Sequence, residues 1–381
     1  MAARSSTARC EPHLHVNTRS RALAALPVPV GTPAMEARLA DSLPVGEGWQ
    51  YEPKWDGFRC LAFRAGRAVE LRAKSGKPLT RYFPEIVALL RGLATERFVL
   101  DGELAVPVEG TLSFDALQAR LHPAESRIRK LAAETPAVFI LFDALLIEGR
   151  VLLDVPLARR RAALEAFHGG MGEENRLLLS PSTADPAVAR RWFDGLGGAL
   201  DGIVAKRRDD SYRPGERRMV KVKQRRSADC VVGGFRYESR SREVGSLLLG
   251  LYDEAGKLDH VGFTATIRDA ERSALTQRLE ALTEPPGFTG KAPGAPSRWS
   301  GARSAEWQPL RPVLVVEVRY DQMTGGRFRH GTTLLRWRPD KAPAQCTFAQ
   351  LDRVVALNRS LPLWGRDGTR AEHGEGEGSA R

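Results

Sequence analysis

Cysteine is scarce in this chain. Only Cys10, Cys60, Cys230 and Cys346 occur in 381 residues, and no two of them form a C-x-x-C pair. That excludes a disulfide framework and a cysteine-based zinc site, and it suits a reducing cytoplasm. Cys10, His13 and His15 lie close together, but three candidate ligands alone are a poor metal signal. No apolar run approaches the ~20 residues a membrane helix needs, so no membrane partner is expected. A G-x-x-x-x-G-K-[S/T] loop is missing too, because Gly76-Lys77 runs into Pro78. Any nucleotide phosphates must then be held by side chains. No internal repeat is evident.

Positive charge is abundant. Lysine and arginine number 58 against 46 acidic residues, a formal net charge of +12. This balance favours an anionic macromolecule, nucleic acid first. An arginine-rich proteome of high-GC origin would leave the same mark.

Composition predicts disordered tails over residues 1–25 and 359–381. The Arg- and Ser-rich start resembles a transit peptide, although a disordered tail or an upstream start codon explains it as well. Between the tails, residues 26–226 alternate apolar strands with amphipathic helices. Strands are predicted at 97–106, 136–147, 200–207 and 219–223. In FPEIVALLRGL, Pro84 suits a first helical turn, and Ile86, Leu89, Leu90 and Leu93 share a face. Ser113 and Asp185 are candidate N-caps. Residues 227–358 read as strands of a small barrel or sandwich with one helix near 269–282. A Pro/Gly-rich loop spans 284–301.

Chemistry concentrates in short polar islands. In Lys54-Trp55-Asp56-Gly57-Phe58-Arg59, a lone lysine sits among aromatic residues ahead of an acid-glycine turn. A free lysine has a pKa near 10.4 and cannot attack at neutral pH, but nearby cations and desolvation lower that value. Gly57 permits a turn that returns Arg59 towards the same pocket. The bland alternative is a lysine at a strand end beside a core tryptophan. Glu103 closes Leu100-Asp101-Gly102-Glu103 at a strand end opening onto a cleft, and Phe142-Asp143 interrupts an apolar strand. Asp201-Gly202 repeats the acid-glycine pair ahead of a strand ending in Lys206. Lys221 and Lys223 share one side of a strand, or else mark a solvated edge. Together, alternating lysines, two acids able to hold a divalent metal, and a stacking aromatic suit the capture of a nucleoside triphosphate. Its α-phosphate would be presented to Lys54.

In order and spacing these segments resemble the motif set of the covalent nucleotidyltransferases, which comprise ATP-dependent DNA ligases, RNA ligases and mRNA capping enzymes. YEPKWDGFR resembles motif I, RAKSGKPLTRYFP motif Ia, FILFDAL motif III, LDGIVAK motif IV and MVKVK motif V. LLRWRPDK is similar to the R-x-D-K form of motif VI in bacterial ligases. RLHPAESR, GSLLLGLY and VVEVRYDQM are most similar to the small bacterial ligase C type. The resemblance implies an α+β fold, with a nucleotidyltransferase (adenylation) domain of antiparallel sheets and helices followed by an OB-fold β-barrel. It implies a lysyl-AMP on Lys54, with Glu52 beside the adenine and Phe142 stacked on it. Arg59 and Glu103 would hold the ribose, Glu103 and Asp201 the metal, and Lys221 and Lys223 the α-phosphate. Lys74 and Lys206 join the nucleotide-binding set. Arg338, Asp340 and Lys341 would orient the leaving group when the domains close. ATP and Mg2+ or Mn2+ are the implied cofactors.

Two departures stand out. Asp201 replaces the usual Glu of motif IV. Lys74 stands where motif Ia usually has Arg, so it binds phosphate as a point charge without the bidentate fork.

The resulting expectation is a monomeric cytoplasmic DNA ligase. It would seal nicks carrying 3′-hydroxyl and 5′-phosphate ends, in base excision repair or backup end joining, with nicked duplex DNA and DNA repair proteins as partners. Arg225, Arg226, Arg236, Arg240 and Arg242 would contact DNA phosphates, unless they form only a solvated face. An RNA ligase or GTP-using capping enzyme is the nearest alternative. A catalytically idle DNA-binding scaffold is the alternative of another class.

Overall fold

The computed structural model describes residues 21–170, 176–194, 200–223, 226–239, 241–294 and 306–352. Two sheets build the first half. One runs in the order Ala37–Ala40, Met219–Lys223, Leu200–Arg207, Trp49–Trp55. The other runs Leu177–Leu179, Val138–Ile147, Arg97–Ala105, Phe58–Ala65, Ala68–Ala73. Their inner faces meet, and Trp55 and Leu200 from the first pack with Ala105, Val138 and Ile140 from the second. The outer face of the second sheet is covered by the helices Pro84–Gly92 and Leu157–Gly169 over Ala62, Leu100 and Leu141. Burial of such apolar area is the main force holding these layers.

The predicted strands are present at Arg97–Ala105, Val138–Ile147, Leu200–Arg207 and Met219–Lys223. Ser113 caps its helix, accepting from the Ala116 amide at 3.2 Å, and Asp185 accepts from the Ala187 amide at 2.7 Å. Four expectations need correction. The sheets are not wholly antiparallel, because Ala37–Ala40 and Leu177–Leu179 pair in parallel with their neighbours. The Lys221/Lys223 strand is no edge, since it lies between Ala37–Ala40 and Leu200–Arg207. The helix at Pro84 buries Ile86, Val87 and Leu90, leaving Leu89 and Leu93 at its margin. Residues 21–25 are packed, not disordered, with Leu23 in a core cluster; residues 1–20 and 353–381 lie outside the described residues.

A buried ion pair anchors the central strand. Asp143 takes both arms of Arg160, at 2.8 and 3.0 Å, and the same guanidinium donates to the carbonyls of Val155 and Asp210. With both side chains almost fully buried, Asp143 cannot swing outward. The pairing slips just here, with Asp101 opposite Asp143 and Gly102 opposite Leu141, so Phe142 is the extra residue of a β-bulge, a device that re-aims a side chain next to a site.

The second half is a barrel. Its strands run in the order Leu258–Thr264, Val244–Tyr252, Arg226–Tyr237, Val315–Tyr320, Thr333–Trp337. The first and last of these meet at Thr264 and Thr332, where the Thr264 hydroxyl donates to the Thr332 carbonyl at 3.0 Å. That bridge closes the sheet on itself and removes the free edges, the arrangement of an OB-fold. The expected helix is Asp269–Glu280, and the loop predicted at 284–301 is described only as far as residue 294. The barrel core draws every buried member from residues after 227, and the other clusters draw theirs from residues before 223.

Candidate active site

The chain changes sheets at Asp56-Gly57, between Trp49–Trp55 in one and Phe58–Ala65 in the other. Gly57 is needed for space more than for turn geometry. A Cβ there would strike the Leu104 carbonyl and crowd the Glu103 side chain. The close approach sets Lys54, Arg59 and Glu103 around one opening. Gly202 has φ near 150°, and a Cβ on it would collide with the Val222 carbonyl. This lets the Asp201 strand lie against the strand of Lys221 and Lys223.

Between the sheets lies a cavity of about 920 Å³, of nucleotide size. Glu52, Lys54, Arg59, Lys74, Glu103, Phe142, Lys206 and Lys221 all line it. Six segments distant in sequence therefore converge on one cavity. Lys223 and Asp201 stand at its lip, joined to Lys54: Asp201 Oδ2 lies 2.5 Å from Lys54 Nζ and 3.1 Å from Lys223 Nζ. Arg338, Asp340 and Lys341 do not reach the cavity. Arg338 binds Asp229 at 2.8 Å and Asp340 at 2.9 Å, and Lys341 binds Asp229 at 3.1 Å.

At the floor, Glu52 is 2% exposed and its two oxygens accept from Gln50 and Lys206, each at 2.8 Å. Lys206 also donates to the Phe142 carbonyl at 3.2 Å and lies 4.7 Å from the centre of the Phe142 ring. Arg59 approaches that ring at 5.4 Å while forking on Asp101 at 3.1 and 2.7 Å. Tyr212 donates to Asp101 at 2.7 Å and accepts from the Met35 amide at 2.9 Å. Phe142 thus lines the cavity with two cations close to its ring. Asp101 and Tyr212 were not expected as site residues. The acid of LDGE was legible in the sequence, but its partner Tyr212 lies 111 positions away.

Electrostatics separate the groups. Burial pushes the Glu103 carboxyl up to about 8, with Lys54 and Arg59 opposing. Burial works against the charge on Asp201 as well, but Lys54 and Lys223 outweigh it and hold that carboxyl below its usual range. Burial and the neighbouring Lys54, Lys223 and Lys74 lower the Lys221 ammonium. The sequence suggested a nucleophile ringed by cations. The structure places Lys221 and Lys223 nearby but gives Lys54 a carboxylate as its first partner. Lys74, half-exposed, pairs with Glu36 at 3.2 Å.

No cluster of three or more His, Cys, Asp or Glu occurs among the described residues. Glu103 nonetheless has no hydrogen-bond or ion-pair partner among them, and it holds its proton near neutrality. A hard oxygen donor of this kind fits a Mg2+ or Mn2+ ion that takes its other ligands from phosphates and water. Asp201 fits once Lys54 releases it. A pH signature follows. Between about 4.5 and 8 the folded protein keeps a proton on Glu103 that the unfolded chain has lost. Metal-free stability should therefore fall as pH rises through that window, by at most about 1.4 kcal/mol per unit. Thermal melts should show this slope flattened by Glu103→Gln, and in the unsubstituted protein stabilisation by Mg2+ should grow over the same range.

Of the arginine patch, Arg226 and Arg236 are half-buried and Arg242 is exposed, lying 5.9 Å from the Tyr237 ring. No described carboxylate pairs with any of the three. Arg225 and Arg240 lie outside the described residues.

The model of the ATP dependent DNA ligase domain matches residues 37–223, and that of the ATP dependent DNA ligase C terminal region matches residues 240–341. The chain is 43% identical to DNA ligase C of Mycobacterium tuberculosis, over 88% of this chain and 98% of the relative. It is 45% identical to DNA ligase C1 of Mycolicibacterium smegmatis, over 88% and 97%. Among solved structures, a Lig E DNA ligase shares the fold at a TM-score of 0.51 and 15% identity, over 80% of this chain and 99% of that one. With its lysine, carboxylates and aromatic gathered around a nucleotide-sized cavity, the chain belongs to the ATP-dependent DNA ligases.

Proposed function

We propose that the enzyme seals nicks in duplex DNA in three phosphoryl transfers, with Lys54 as the adenylyl carrier, and that it serves DNA repair. The observation that carries this reading is Lys54 on the wall of the same cavity as Glu52, Phe142, Arg59 and Lys221.

In the first step the Lys54 amine, freed from Asp201 and deprotonated, attacks the α-phosphorus of ATP. An N–P bond forms, the bond to the bridging oxygen breaks, and pyrophosphate leaves. Phe142 offers a stacking face for the adenine, and Glu52, fixed by Lys206, offers acceptors for its amino group. Arg59 and Glu103 face the ribose. Lys221 and Lys223 bind the α-phosphate, where ammonium groups stabilise charge spreading over its oxygens. Glu103 and Asp201 would hold the divalent cation, which supplies further neutralisation of that charge. In the second step AMP passes from Lys54 to the 5′-phosphate of the nick, which Lys74 meets as a point charge once it leaves Glu36. In the third the 3′-hydroxyl displaces AMP and closes the strand. Arg338, Asp340 and Lys341 act in the first step only after the barrel turns them towards the cavity.

We place the division between the two domains near residue 226. Arg226, Arg236 and Arg242, which pair with no carboxylate among the described residues, form with Arg225 and Arg240 the barrel's contact to the DNA backbone. The protein acts as a cytoplasmic monomer recruited by repair proteins.

A nicked duplex with 3′-hydroxyl and 5′-phosphate ends, incubated with ATP and Mg2+, tests the reading. Sealed strand and a transient adenylylated nick are expected; activity only on nicked RNA, or only with GTP, would overturn it. Nick binding should weaken roughly tenfold or more between 50 and 200 mM salt through counterion release. A flat titration would remove the arginine contact.

A further inference from the structure

One short hairpin of the barrel reaches the catalytic face. Met323–Thr324 and Arg327–Phe328 pair around Gly325-Gly326, whose φ values of 57° and 74° suit a two-residue type I′ turn. Its feet are tied, the Arg329 amide donating to the Gln322 carbonyl at 2.9 Å. The hairpin thus presents Asp321 and Arg329 side by side on a stiff frame.

Both side chains grip the other domain. Arg329 forks on Asp56 at 2.9 and 2.8 Å, with its guanidinium 3.6 Å from the centre of the Phe114 ring. Asp321 accepts from Lys223 Nζ on both oxygens, at 2.8 and 2.9 Å. Asp56 lies two positions after the nucleophile, and Lys223 is the lysine read above as a ligand of the α-phosphate. Asp321 therefore supplies an anion where a phosphate oxygen would bind. The charge chain continues from Lys223 to Asp201 at 3.1 Å and on to Lys54 at 2.5 Å. Arg338 and Lys341 meanwhile stay on Asp229, away from the cavity.

We propose that Asp321 and Arg329 form a latch, docking the barrel on the nucleotidyltransferase domain and competing with the triphosphate for Lys223. Self-adenylylation then requires the latch to open. This rests on the reading of Lys223 as a phosphate ligand. A carboxylate and a phosphate oxygen seek the same ammonium group, so each excludes the other. Apparent ATP affinity is reduced by the fraction of molecules that are unlatched.

Asp321→Asn keeps the side chain's shape and removes its charge, and Arg329→Gln removes the fork. In either variant the KM for ATP in lysyl-AMP formation should fall about threefold to tenfold, with the maximal rate at least maintained. Small-angle scattering of the ATP-free variants should give a larger radius of gyration. Unsubstituted protein in high salt, which screens both pairs, should expand likewise, and this arm needs no variant. Unchanged KM and unchanged scattering would overturn the latch. So would a lowered maximal rate at constant KM, which would make these positioning residues for the chemistry. If the unsubstituted enzyme took no AMP at all, the reading of Lys54 would fail, while scattering would still report on the latch by itself.

Discussion

Lys54→Ala should take no label from α-labelled ATP, a loss of at least about 10³-fold, while binding to a nick stays within a few-fold of the unsubstituted enzyme. The argument is covalent, because a methyl group has no lone pair for phosphorus and the neighbouring side chains cannot substitute for it. Lys221 and Lys223 lie on a strand separated from that of Lys54 by the Asp201 strand, and Asp201 already draws Lys223 at 3.1 Å. Sealing should vanish with labelling, since every turnover begins with the N–P bond. Mass spectrometry of the intact protein given ATP and Mg2+ should show an AMP-sized adduct that the variant lacks. Label persisting on Lys54→Ala would move the nucleophile elsewhere.

Lys206→Ala should injure both stability and catalysis. Lys206 and Glu52 are each nearly fully buried, 4% and 2% exposed, with 2.8 Å between their charged atoms. Deleting one partner strands the other's charge in the interior, at a cost of about 3–5 kcal/mol. In a domain of this size that corresponds to a drop in melting temperature of roughly 10 °C. ATP capture should fall with it, because Lys206 also braces Phe142 through its carbonyl and its ring. The two effects can be separated. A double substitution, Lys206→Met with Glu52→Leu, should recover most of the stability, as buried ion pairs replaced by apolar groups of similar volume often do. It should still be deficient in forming lysyl-AMP. Full recovery of activity in the double variant would reduce the pair to a structural role.

Local patterning made much of the molecule legible. The strands at Leu200–Arg207 and Met219–Lys223 were readable from short local patterns, Ile203-Val204-Ala205 after an acid-glycine pair in one and valine alternating with lysine in the other. The helix at Pro84 was readable from its start signal, but its inner face was misjudged by a residue. Val87 turns in and Leu89 sits at the rim, since the direction of packing is chosen by the sheet beneath and not by the helix. The strand of Lys221 and Lys223 could be read as an edge or a centre with equal ease, and only pairing with Ala37–Ala40 decides it. The candidate site residues were legible for another reason: several short motifs in order resemble those of a known family, where no single motif would have sufficed.

The partners of those residues were hidden. Tyr212 under Asp101, Arg329 on Asp56 and Asp321 on Lys223 carry no local signal, as an exposed arginine and one bound across a domain boundary look alike in a string of letters. By itself the sequence determined most strands and helices, through local periodicity, while the barrel and the roles of Lys54, Glu103 and Asp201 came from the resemblance of short motifs to those of a known family. Only the tertiary structure decided that Asp201 holds Lys54, that Arg338 and Lys341 rest on Asp229, and that the barrel docks through Asp321 and Arg329. Those are choices among oppositely charged partners far apart in the chain, and charge selects by distance in space.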